Sequence, residues 1–141
     1  MRAASDLPAG VRTARVIAYV QGGLLALNAL FFTFGAGAVA AAYGWAGTGG
    51  IAAAAAIGVA LLLIAGLVIW AGVLVGKLSN RARIGLLIYE GLSFALGLLS
   101  LSQAGVGTGI LNLLIAVVVI YYLQFDAATK AAFLPATTNA R

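Results

Sequence analysis

Four long apolar stretches govern what this chain can fold into. The most uniform, "IAAAAAIGVALLLIAGLVIWAGVLVG", runs from Ile51 to Gly76. About 20 apolar residues carry a helix across the hydrocarbon core of a bilayer. Within that core each backbone N–H and C=O must find its partner inside the protein, which restricts a lone apolar run to a helix. A second run, "VIAYVQGGLLALNALFFTF", follows Arg15 and continues through "GAGAVAAAY"; two more extend from Ile84 to Leu101 and from Gly107 to Leu123. The 141 residues are 64% hydrophobic and 8% charged, against about 25% charged in soluble domains. A soluble fold of this size has too little interior to hide that much apolar surface. The expected fold is an all-α integral membrane four-helix bundle, a single domain with helices over 12–42, 51–77, 83–102 and 106–125 and a tail over 126–141.

Charge placement orients the spans. All eight Lys and Arg residues lie in the N-terminal segment, the "KLSNRAR" connection or the C-terminal tail, and the other two connections carry no charge. The bias of cations toward cytoplasmic loops then predicts two antiparallel hairpins with both termini and the central loop in the cytoplasm. Heavy Ala and Gly usage fits a bacterial protein, so the expected location is the bacterial cytoplasmic (inner) membrane, crossed several times. The run from Val16 to Phe34 exceeds the roughly 7–15 residues of a signal-peptide core, which favours a retained first span. The net charge of +5 is read as contact with anionic headgroups at Arg12, Arg15, Lys77, Arg81 and Arg83 rather than as a nucleic-acid surface.

The inventory of reactive groups is short. Cysteine and histidine are absent, and the acids are Asp6, Glu90 and Asp126, well separated in the chain. This excludes thiolate chemistry and leaves little material for a paired-carboxylate site. No catalytic residue, metal site or cofactor is expected, and the chain is not read as an enzyme.

A few polar side chains do interrupt the spans. Glu90 lies seven residues beyond Arg83, about 10 Å deep at helical rise, and Gln21 lies at a similar depth after Arg15. Asn28 and Asn112 both fall about 20 Å in. Gln21 and Asn28 share one helical face, as do Glu90, Ser93 and Gly97 on the third span and Gly105, Gly109 and Asn112 on the fourth. These faces are expected to point into the bundle or toward a second copy, with Gly72, Gly76, Gly97, Gly105 and Gly109 permitting close helix approach. Tyr19 and Gln21 are candidate hydrogen-bond partners for Glu90.

The four short spans with one intramembrane glutamate resemble the architecture of the small multidrug resistance exporters. In that family the acid stands in the first helix, whereas here Glu90 is in the third. The segments "RARIGLLIYEGLSFALGLLSL" and "GILNLLIAVVVIYYLQFDAATKAAF" also resemble the second half of small, uncharacterised four-helix membrane proteins of actinobacterial type, which implies location and topology but no activity. Two functions remain open. One is a non-enzymatic membrane protein acting through helix association, as a homo-oligomer or accessory subunit. The other is a proton-linked transporter or channel with Glu90 as the titrating carboxylate.

Overall fold

The computed structural model describes residues 7–45, 47–101 and 106–134. They form helices α1 (Ala9–Phe34), α2 (Ala36–Ala42), α3 (Gly47–Gly76), α4 (Asn80–Leu101), α5 (Val106–Ile120) and α6 (Ala127–Phe133), with a π-helical turn at Tyr121–Phe125. No strand occurs among the described residues. Three helices, Ala9–Phe34, Gly47–Gly76 and Asn80–Leu99, are long and apolar enough to cross a membrane; a fourth span results if the bent pair Ile110–Phe125 and Ala127–Phe133 counts as one. The chain is therefore helical with three to four candidate spans. Packing divides it into two compact units, Tyr19–Trp70 and the combination of Met1–Ala18 with Ala71–Arg141.

Small residues build the Tyr19–Trp70 unit. Gly22, Ala29 and Ala36 are buried, and so are Ala54, Gly58 and Ala65 of α3. A Cβ added at Gly58 would stand 2.6 Å from the Thr33 backbone nitrogen and 2.9 Å from the Ala29 carbonyl oxygen. One at Gly22 would stand 2.5 Å from Cγ1 of Ile69. Glycine is required at Gly58 because the facing atoms are backbone, and at Gly22 a Cβ would force the exposed Ile69 side chain to shift; small residues are how helices in lipid gain dispersion contact. Ala36, Val39 and Ala54 form a small core, flanked by Phe32, Trp45 and Ala55.

The expected single helix over 12–42 is broken at Gly35. Its backbone leaves α geometry at φ −94°, ψ 17°, and a Cβ there would press on the Phe31 carbonyl at 2.6 Å. Helix α2 then ends at Gly44, where N–H groups of Gly44 and Trp45 donate to the carbonyls of Ala41 and Ala40 at 3.2 and 2.8 Å. That pair of bonds needs a left-handed residue, and Gly44 has φ 69°.

The second unit gathers Val11, Ala14 and Ala18 of α1, Val75 of α3, Leu86 of α4, and Ala116 and Val119 of α5, all buried. Helix α3 stops at Leu78 by the same termination, with Leu78 and Ser79 N–H donating to Val75 and Leu74 at 2.9 and 3.0 Å. Here a leucine takes the left-handed position at φ 58°, a conformation costing a residue with a Cβ about 1–2 kcal/mol. Ser79 Oγ accepts the Ala82 N–H at 3.5 Å at the start of α4. Helices α4 and α5 pack against each other.

The tail opens with a short helix. After the π turn, closed by the Asp126 N–H donating to Tyr121 O at 3.1 Å, the chain bends by 64° into α6. Asp126 caps α6, its Oδ2 accepting the Thr129 N–H at 2.8 Å. Thr129 and Phe133 are buried, and Gly10 of α1 lies so close to the Thr129 hydroxyl and the Tyr122 ring that a Cβ there would overlap both. The expected tail over 126–141 thus begins with a docked helix.

Candidate functional site

Helix α4 presents one buried stripe: Ala82, Leu86, Glu90 and Gly97 are buried and Ser93 is half-buried on the same face. Spacings of four, four, three and four residues keep these positions aligned on a helix of 3.6 residues per turn. The opposite face carries Ile84, Ile88, Leu92, Leu96 and Leu99, all exposed. Glu90 is 0% exposed, among the largest fully buried side chains described. An acid on a membrane span is costly and is commonly tied to protein groups or function.

Tyr89, absent from the sequence-based candidates, sits beside Glu90 and shares a side-chain hydrogen bond with Ser93. Its signal is weak in sequence, since a tyrosine inside an apolar run reads equally as packing. Tyr19 and Gln21, half-buried, belong to the other compact unit. Asn28 and Asn112, whose faces are expected to point into the bundle or toward a second copy, are both exposed, one in each compact unit. Gly72 and Gly97 are buried. Gly76 is half-buried, with the Arg15 side chain running beside it at 3.0–3.2 Å from where a Cβ would stand. Gly109 falls in α5, and Gly105 lies outside the described residues. Close-contact glycines that sequence reasoning missed include Gly10, Gly22 and Gly58.

The cations expected at headgroups divide into two sets. Arg12, Lys77 and Arg81 are exposed, whereas Arg15 and Arg83 are half-buried. Arg83 turns toward the tail: its guanidinium lies 5.6 Å from the Phe133 ring centroid, and Nη2 donates to Gln124 Oε1 at 3.5 Å. A cation over an aromatic face is attracted by the ring quadrupole, so Arg83 helps seat α6. At the bend, Thr129, by its hydroxyl first and its backbone N–H second, holds the Asp126 carboxyl below its ordinary range. A shallow groove on α1, lined by Ala9, Arg12, Thr13, Val16 and Ile17, joins a cation to an apolar floor. The candidate groups are thus a buried Glu90 and an exposed Asn112 in one unit, with Arg83 engaged by the tail, and an exposed Asn28 in the other. No family model matches the chain, and no curated protein or solved structure does either.

Proposed function

We propose that the protein is a non-enzymatic, multi-pass membrane protein that acts through helix association, as a homo-oligomer or as an accessory subunit of a larger membrane complex. In this reading the four spans form a bundle of two hairpins in a bacterial cytoplasmic membrane, with both termini cytoplasmic. Arg12, Lys77 and Arg81 meet anionic headgroups. The observation that carries it is the exposure of Asn28 and Asn112 on uncharged stretches of α1 and α5. Hydrocarbon offers an amide no hydrogen bond, so such a group gains by meeting another protein surface. Mass spectrometry of the intact assembly released from native membranes tests this: a single chain with no companion subunit overturns it.

A second reading rests on Glu90. Complete burial of a carboxyl in α4 supports a proton-linked transporter or channel in which this group gains and loses the coupling proton. Reconstituted vesicles decide it. Glu90→Gln keeps size and hydrogen bonding, so it should preserve helicity and abolish proton-gradient-driven flux; flux at wild-type level refutes the role.

A further inference from the structure

We propose that Arg83 is a binding site for an anionic phospholipid headgroup and that α6 occupies this site in competition, so that lipid charge releases the tail. The inference goes beyond the association reading and takes from it only that the chain spans a bilayer. Every residue it uses lies in the compact unit that includes Ala71–Arg141. Arg83 stands in the first turn of α4, about 3 Å of helix rise beyond the exposed Arg81. Arg83 differs from Arg81 because the tail lies against it. Both groups that hold it are neutral: the Phe133 ring at 5.6 Å, and Gln124 Oε1 at 3.5 Å from Nη2, long for a hydrogen bond. Its Nε is buried and has no hydrogen-bond partner among the described residues.

A buried donor left unbonded costs free energy. A guanidinium meets two phosphate oxygens through a pair of parallel N–H groups, and Nε and Nη2 form such a pair along one edge of the fork. Gln124 takes that edge at Nη2, and Nε is closed to solvent, so a headgroup that binds there moves the tail. Helix α6 is suited to release. Its seven residues fall short of the roughly 12–15 that hold a helix in isolation, so it persists by docking. Phe133 is the large apolar side chain it buries, and the same ring lies over Arg83. Where the tail offers Arg83 an amide and a π face, a phosphate diester offers opposite charge and two acceptors, and an anionic leaflet holds it at high local concentration.

The chain lacks cysteine, so a label pair reports without background. Full-length Ala128→Cys/Ile88→Cys, both positions exposed, would be spin-labelled and reconstituted in phosphatidylcholine vesicles with and without phosphatidylglycerol. The spin–spin distance reads the docked population. Phosphatidylglycerol should lower the docked-to-undocked ratio roughly fivefold, the worth of one cation at an anionic surface. Inorganic phosphate added to neutral vesicles should leave α6 docked; release by it would assign the site to free phosphate and overturn the lipid. Linkage supplies the reverse measurement. Phe133→Ala, its tail released, should bind a fluorescent phosphatidylglycerol roughly fivefold more tightly than the wild type, and adding Arg83→Gln should remove that gain. Circular dichroism checks that each variant stays helical. An unchanged distance in phosphatidylglycerol, equal affinity of wild type and Phe133→Ala, or a gain that survives Arg83→Gln overturns the inference. Flotation with the vesicles in each case keeps the multi-pass reading separate; a chain that does not float overturns both.

Discussion

Substituting Gly58 and Gly66 by alanine separates helix packing from helix propensity on one helix. Both glycines lie in α3, but a Cβ at Gly66 meets nothing within 4 Å. At Gly58 it would stand 2.6 Å from Thr33 N and 2.9 Å from Ala29 O. Ordinary contact begins at 3.4 Å, so α1 must retreat by about 0.8 Å at Thr33 and 0.5 Å at Ala29. Overpacking of this kind costs about 1–3 kcal/mol. The propensity gain of alanine over glycine, about 1 kcal/mol, applies equally to both sites and cancels in the comparison. Gly58→Ala should therefore be less stable than Gly66→Ala by about 1–3 kcal/mol, a factor of roughly 5 to 150 in the unfolding equilibrium. Titrating helicity with a denaturing detergent in mixed micelles measures the gap. Coincident transitions would show that α1 and α3 do not meet closely at Gly58, and the small-residue seam between them would be wrong.

Phe133→Ala removes the buried ring and its contact with Arg83, so α6 should undock and tryptic cleavage after Lys130 should quicken by at least about tenfold, given about 1.5–3 kcal/mol for the lost burial; an unchanged rate means α6 is held elsewhere. For Asp126 the folded carboxyl titrates below its ordinary 3.8, so its capping contribution is complete above the unfolded value and is lost as pH falls through the folded one. The Thr129 amide proton shift should follow that titration, with a midpoint below 3.8, and a midpoint at or above it refutes the capping account. Under the proposed topology, Ser79→Cys beside the basic turn should resist an impermeant thiol reagent added to intact cells and react after permeabilisation; labelling of intact cells reverses the orientation.

Candidate spans are legible in the sequence because a bilayer makes one demand, a long apolar run, and Ile51–Gly76 meets it without ambiguity. Facial grouping is legible too: Glu90, Ser93 and Gly97 align by spacing alone, and the structure buries the first and last. Which way a face points is not. Lipid tails are as apolar as a protein core, so spans carry no one-sided pattern to aim them, and the sequence alone leaves the facing of Asn28 and Asn112 open between the bundle and a second copy. Gly22 and Ala29 of α1 stand seven residues apart, as do Gly58 and Ala65 of α3. That signal for the α1–α3 seam is drowned by alanine and glycine elsewhere. The break at Gly35 and the docking of α6 depend on individual hydrogen bonds and one capping carboxylate, which no periodicity records.

The turn at Tyr121–Phe125 acts as a rotational phase shifter. Closing a ring one residue larger than the α-helical one, it adds a residue without lengthening the path proportionately, and each residue swings the downstream chain by about 100°. Thr129 and Phe133 reach Gly10 and Arg83 at that setting. Deleting Gln124 would leave every later side chain intact yet aim a different flank of the last helix at its dock, so a one-residue indel here is a coarser mutation than most substitutions.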